Sequence, residues 1–435
     1  MSPRAYVKRS IPRVTVGGSG LPDSGPGISR PAVSDWLSRF DGRRSAMLDG
    51  DQAARVRALI ELPRATLSAY MTDRPQSHLF ALLRSAAAVR DLVDRMVVIA
   101  DARVVQAVRA LIDCCCDPFF NELTRGERGS RPRFSALVDP SDIEQVNGLL
   151  RLVTRRPWGH DVDDHWGVVV LRDTSKPEAA GMDALIELVT ETLQQHAGPE
   201  RWKKRWLLVA DEGDRWAHWA KQHQCTEVFT CQGAWCDPQT VPAFYSSGLM
   251  LASGLLGIDV VKLLEGAVQA SDEYAQGPVA ESVAWQCAAT AAVVSESGHG
   301  TPWLSAEGQA LQSCAQWLET VWCHYAGPLP PGSARVRYLS KRDERAAADR
   351  LGMAEARRGS GCVTRFRALQ ARTGGSLVDP GSAVAASPGF PSAEIRLPCV
   401  NESSIGQLVQ AMLLAAATYG ELVRAESSAG GTSLA

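Results

Sequence analysis

Residues 248–267 read GLMLASGLLGIDVVKLLEGA. Small and apolar residues recur at helical spacing up to Leu256, and Gly257-Ile258-Asp259 then interrupts the pattern. Val260, Val261, Leu263 and Leu264 resume it. The spacing predicts two helices joined by a tight turn, with Asp259 positioned to cap the second while its apolar face returns to a core. An ordinary buried helical pair accounts for these residues by themselves, so the reading must be carried outward.

Upstream, Trp166–Leu171 (WGVVVL) is uninterrupted and β-branched, as a strand buried on both faces of a parallel sheet requires. Met96–Ile99, Phe134–Val138, Trp206–Ala210 and Val228–Cys231 are further strand candidates. Helical patterns alternate with them at Val104–Cys115, Pro140–Leu152, Met182–His196 and Trp216–Gln224. Alternation of this kind predicts a doubly wound α/β domain.

With 435 residues the chain has room for two such domains, and a formal net charge of −2 gives no electrostatic footprint for nucleic acid or a membrane surface. The longest apolar runs are too short to span a bilayer, and MSPRAYVKRSIPR lacks an apolar signal core. The expectation is a cytoplasmic protein. Eleven cysteines include Cys114–Cys116 but form no CxxC pair, so reduced thiols and no metal are expected. Cys231, Cys236, His218 and His223 are the one set that a metal could use, although their spacing is not of the zinc type.

Residues 1–34, centred on VGGSGLPDSGPGISRP, have too little apolar content to fold alone and read as a disordered leader. Their Gly-Gly-Ser follows no apolar strand, which argues against a phosphate loop. Residues 35–95 read as a helical lead-in, 96–270 as a first α/β domain, 271–425 as a second with a closing helix over Ile405–Arg424, and 426–435 as a flexible tail. Within the second, Glu273–Val294 reads as a helix and a strand, Ala306–Tyr325 as a helix and Val336–Leu339 as a strand.

From Trp166 to Ala267 the order strand, loop, helix, strand, helix, glycine turn and then a helix over Gly248–Leu256 ending in Gly-Ile-Asp resembles the sugar-isomerase (SIS) domain of glucose-6-phosphate isomerases. Further resemblances lie at Asp113–Arg133 (DCCCDPFFNELTRGERGSRPR), of which NELTRGERGSRPR reads as a surface segment, and at Ser404–Glu421 (SIGQLVQAMLLAAATYGE). The resemblance implies tandem SIS domains of three-layer αβα type with mostly parallel sheets. It implies interconversion of glucose 6-phosphate and fructose 6-phosphate in glycolysis and gluconeogenesis, no cofactor, and a dimer.

At the positions that carry that chemistry this chain departs from the family. Where the family has Gly-Ile-Gly-Gly-Ser, residues 100–104 read Ala100, Asp101, Ala102, Arg103 and Val104, so side chains fill space that glycines leave for an anion and Asp101 adds a negative charge beside the expected phosphate or sugar. The phosphate loop after WGVVVL reads Arg172-Asp173-Thr174-Ser175-Lys176-Pro177-Glu178. Thr174, Ser175, Lys176 and Arg172 remain able to meet a phosphate, whereas Pro177 removes a donor and Asp173 repels an anion. In the turn Gln232–Cys236, Gly233 and Trp235 match the family, but its arginine position holds Ala234 and its serine position Cys236. Matching the family's closing glycine to Gly327 sets His324 at the position of the general-base glutamate. Arg345 stands where the ring-opening histidine is expected, and an arginine stays protonated. No lysine follows Lys341, so the family's catalytic lysine has no counterpart here.

Three functions follow. The chain is an isomerase that uses His324 as a replacement base, a catalytically silent sugar-phosphate binder that regulates, or a structural protein that pairs with itself or with a genuine isomerase.

Overall fold

The computed structural model describes residues 13–20, 29–49, 54–155, 165–172, 179–211, 213–225, 227–230, 245–296, 303–306, 309–326, 363–368 and 392–430. They form two compact units, one of residues 61–261 with 309–320, the other of residues up to 60, 262–308 and 321 onward. The fold is mixed α/β.

The first unit is built on a five-stranded parallel sheet of order β3-β2-β4-β5-β6, with β2 at Arg95–Ala100, β3 at Arg133–Leu137, β4 at Trp166–Leu171, β5 at Trp206–Ala210 and β6 at Glu227–Thr230. WGVVVL is the central strand and is buried along its whole length. Its register pairs Ile99 with Val170 and Val170 with Leu208. Side chains alternate across the pleat. Val97, Ile99, Val168, Val170, Trp206 and Leu208 share one core with α5 (Ile143–Thr154), α6 (Ala179–Ala197) and α7 (Arg215–Gln222). Leu171, pointing the other way, meets α8 (Ser247–Leu256) at Gly248, where an added Cβ would lie 3.3 Å from the leucine. Helix α8 also packs on α3 (His78–Arg90) and α4 (Ala102–Cys115).

As predicted, Gly257 ends α8. It adopts φ +68°, and its N–H and that of Ile258 bond back to Gly254 and Ser253 carbonyls at 3.1 and 2.9 Å.

The amino ends of three strands meet at Asp94. Its N–H donates to His165 O at 2.8 Å just before β4, and its O accepts from Arg133 N at 2.6 Å where β3 begins. Its buried carboxylate is bound by Arg128 and Arg133, with Arg125 at 3.9 Å. Arg128 is itself fully buried and donates to Arg131 O at 2.9 Å and to Leu123 O. NELTRGERGSRPR is the surface segment expected, with Glu122, Thr124, Gly126, Glu127, Gly129 and Ser130 exposed, but Arg125, Arg128 and Arg133 point inward from it. The arginines turn inward because one buried acid and several loop carbonyls satisfy their fixed fork of donors.

The second unit carries a four-stranded sheet of order β1-β9-β8-β7, with β1 at Thr15–Gly20, β7 at Trp303–Ala306, β8 at Val363–Ala368 and β9 at Ser392–Leu397. β7, β8 and β9 are parallel and β1 joins β9 antiparallel. This strand corrects the reading of residues 1–34 as wholly disordered, because backbone bonds to an open sheet edge do not require apolar side chains. Gly17–Ser19 lie inside it. The helices here are α1 (Arg30–Asp49), α9 (Val260–Gln276) from Lys262 onward, α10 (Val283–Glu296) and α12 (Glu402–Gly430), while α2 (Ala54–Thr72) and α11 (Gln309–Ala326) each have residues in both units.

The helical lead-in is not a separate piece, since α1 belongs to this unit and α3 to the other. Glu273–Val294 holds no strand: it is the end of α9 and most of α10, whose buried Ala-Ala-Val-Val continues a helix wrapped by α1 and α12. Helix α12 runs on to Gly430, past the expected tail boundary. The strand expected at Val336–Leu339 lies outside the described residues.

Trp36, Phe40, Trp285 and Tyr274 form a run of ring contacts, with Tyr274 and Trp285 stacked at 4.3 Å. Helices α9 and α12 cross at two glycines. A Cβ on Gly266 would lie 2.0 Å from Ser403 O, and one on Gly406 would lie 2.0 Å from Leu263 O. Both obstructions are backbone, so neither can swing aside.

Gly406→Ala is expected to cost about 3 kcal/mol by overpacking, read as a lower melting temperature. Gly148→Ala, on an exposed turn of α5 with nothing within 4 Å, should instead stabilise by up to about 1 kcal/mol. Asp94→Asn should cost about 3 to 5 kcal/mol, because it leaves buried guanidiniums without their counter-charge. A denaturation midpoint equal to that of the parent chain would show that the arginines are satisfied without the acid.

Candidate functional site

Open parallel sheets bind ligands in the crevice beyond the carboxyl ends of their strands. In the first unit that edge can be followed strand by strand. After β2 the chain turns at Asp101, whose backbone is extended (φ −66°, ψ 160°) and whose Oδ1 accepts from Arg103 N at 2.8 Å and Val104 N at 3.1 Å. It is the N-cap of α4. A helix start offers unpaired N–H donors and the positive end of the dipole, which is what a phosphate would use. Here the chain's own carboxylate takes them.

After β3, Asp139 accepts from Ser141 N and Oγ at 2.8 and 2.6 Å, and Asp142 caps α5 by accepting from Gln145 N at 3.0 Å. The serine contacts hold the Asp139 carboxyl below the usual carboxylate range.

After β4 comes Arg172, its side chain 7% exposed. Its N–H continues the sheet to Val209 O at 2.8 Å. Its Nε donates to Asp214 Oδ2 at 2.5 Å and its Nη1 to Asp183 Oδ1. Asp214 also caps α7, with Oδ1 accepting from Trp216 N at 2.6 Å. Asp183 on α6 accepts from Trp216 Nε1 at 2.9 Å and pairs with Arg215 at 3.2 Å. Arg172 is thus turned toward α6 and α7 and held by two carboxylates, one of them fully buried. A phosphate would have to displace these acids, and breaking such a buried pair costs about 3 to 5 kcal/mol.

Of the residues singled out in the sequence, Arg103 stands half-buried on the first turn of α4 and Arg172 in the cluster just described. They follow neighbouring strands, with Ala100 paired to Leu171. His324 lies on the last turn of α11, in the second unit. Thr174, Ser175, Lys176, Gly233, Trp235 and Arg345 lie outside the described residues. Of the conceivable metal set, His218 and His223 are exposed at α7, His223 stacked on Trp219 at 4.2 Å, and Cys231 and Cys236 lie outside. Among the described residues no group of three or more His, Cys, Asp or Glu side chains is arranged to hold a metal ion, and no helix is long and apolar enough to cross a membrane.

Asp183 and Asp214 were not legible as partners of Arg172. Asp214 ahead of RWAHWAKQ is a recognisable N-cap, but nothing in the spacing shows that its second oxygen meets an arginine at the end of another strand.

No protein-family model matches the chain. Over 254 residues it is 25% identical to the glucose-6-phosphate isomerase of Streptococcus thermophilus, a match that covers 57% of this chain and 51% of that protein. The chain thus spans about half the length of the curated relatives it matches. A solved structure of a hypothetical protein from Thermus thermophilus superposes with a TM-score of 0.63 at 17% identity, covering 97% of this chain and all of that one. A glucose-6-phosphate isomerase from Chlamydia trachomatis superposes with a TM-score of 0.59 at 12% identity over 97% of this chain and 89% of that one. The chain therefore has a sugar-isomerase fold, and its sequence similarity is to glucose-6-phosphate isomerases.

Proposed function

We propose that this chain is a divergent glucose-6-phosphate-isomerase-like protein in which aldose–ketose isomerisation is impaired or lost. The observation that carries this reading is the carboxylate of Asp101 on the first donors of α4. An anionic sugar phosphate brought to that helix start meets a negative charge instead of open N–H groups. Arg172 adds to it, since its charge is already spent on Asp183 and Asp214. Ala234 in place of an arginine removes a charge complement to an enediolate, an effect worth about 3 kcal/mol for one preorganised donor. Such a protein works in the cytoplasm as a homodimer or in a heteromer with a genuine isomerase.

A second reading keeps the ligand without the turnover: sugar phosphate bound as a regulatory signal by Arg103, Thr174, Ser175 and Lys176. Arg103 favours it, because its side chain stands half-buried on the first turn beyond β2, at the edge where a ligand would lie.

A coupled assay for fructose 6-phosphate conversion with concentrated pure protein is expected to show no turnover above background. Turnover that His324→Ala abolishes would establish instead an isomerase with a histidine base. For the second reading, glucose 6-phosphate should raise the melting temperature of the parent chain and raise it less in Lys176→Ala. Equal shifts in the two proteins would remove Lys176 from the site, and no shift in either would leave the assembly role.

A further inference from the structure

At the same carboxyl edge, beyond β4 and β6, two helix starts meet. His78 is the first residue of α3 and Ser247 the first of α8, and His78 Nε2 lies 2.8 Å from Ser247 Oγ. Neither residue is needed to cap its helix. Ser77 Oγ already accepts from Phe80 N at 3.2 Å, and Ser246 Oγ from Leu249 N at 3.2 Å. Nor does α3 need the contact to stay on α8, because Ala86 and Leu83 pack directly against Gly254.

Several features suit the pair to chemistry. With its proton on Nδ1, the imidazole accepts the Ser247 hydroxyl hydrogen through Nε2, the arrangement in which a base activates a nucleophile. Burial lowers the His78 pKa, so the ring is in its neutral, basic form at pH 7. Phe229, at the end of β6, meets it edge-on at 6.1 Å and restrains the ring. Gly248 follows the serine, and the first N–H groups of α8 have no partner within the helix, so the amide after the nucleophile can receive an oxyanion. Leu171 lies beside Gly248, and Tyr245 and Leu249, two residues either side of the serine, are buried. The serine is 4% exposed, so its hydroxyl is held against the imidazole rather than against bulk solvent.

We propose that Ser247 and His78 form a nucleophile–base pair that acts on uncharged carboxylic esters, a role separate from sugar-phosphate isomerisation. Ser247 Oγ attacks the carbonyl carbon as its proton passes to His78 Nε2. The bond to the alcohol oxygen then breaks, and the departing oxygen takes that proton. Water attacks the acyl-serine, gives a proton to His78, and the carboxylic acid leaves as Ser247 recovers its hydrogen. One ester and one water become one acid and one alcohol.

An alkyl fluorophosphonate, which exchanges its fluoride for a serine oxygen, tests the pair on the full chain. Peptide mass spectrometry of the labelled parent protein is expected to place one adduct on Ser247, a result that depends on no variant. The labelling rate should fall about 100-fold in His78→Gln, and hydrolysis of p-nitrophenyl acetate should fall with it. Ser247→Ala should melt like the parent and take no label. Absence of an adduct on Ser247, or equal labelling in a folded His78→Gln, overturns the proposal. Neither result bears on whether the chain isomerises sugar phosphates.

Discussion

One buried carboxylate sets the frame of the first unit. Asp94 sits where β2, β3 and β4 begin, its N–H fixed to His165 and its O to Arg133, with Arg128 and Arg133 on its oxygens. Ions buried this way gain little over apolar packing, because desolvation offsets their attraction. What they supply is geometry. A planar guanidinium with five donors accepts few arrangements of acceptors, and Arg128 must find Asp94, Leu123 and Arg131 together. The loop 121–133 is therefore tied to the amino ends of three strands, and the register Arg95 to Arg133 and Arg95 to Trp166 follows from that tie.

Fixing the amino ends leaves the carboxyl ends free to carry different loops on the same sheet. At those ends the chain repeats one device, an aspartate that closes a helix start. Asp101, Asp142 and Asp214 do this for α4, α5 and α7. Each cap stabilises its helix by about 1 kcal/mol, and each spends donors that an anionic ligand would need. Stability and anion binding compete for the same N–H groups, and along this edge stability has won at three helices. The pair of His78 and Ser247 escapes the competition because serines one residue earlier do the capping.

The parallel sheet of the first unit was legible because its strands are buried on both faces. WGVVVL admits no other element, and GLMLASGLLGID carries both a helix period and its stop signal. What stayed hidden depended on partners distant in sequence. β1 is TVGGSG, a poor strand by composition, and exists because β9 offers it an edge. Ala-Ala-Val-Val near residue 293 fits strand or helix, and its burial among α1 and α12 decides for helix. The arginines of RGERGSRPR look solvated until Asp94, well upstream in the chain, is seen between them. At the candidate site the absence of glycines after β2 was readable, since residues 100–104 are contiguous. The capture of Arg172 by Asp183 and Asp214 was not, since those acids come from two later helices.

Sequence similarity to the isomerases and the impaired chemistry we propose are compatible because they draw on different residues. Buried strands, the Gly257 stop and the crossing of Gly266 with Gly406 are constrained by packing, where an added methyl would strike backbone at 2.0 Å. Such positions tolerate little whatever the protein does. At the carboxyl edge after β2, Asp101 closes a helix and gains stability. The caps at Asp101, Asp142 and Asp214 and the ion pairs of Arg172 are what release from anion binding, as we propose it, permits at this edge. The charge taken up by Asp101, Asp183 and Asp214 therefore belongs to the physics of the fold, and any chemistry that remains must use groups that the caps do not occupy.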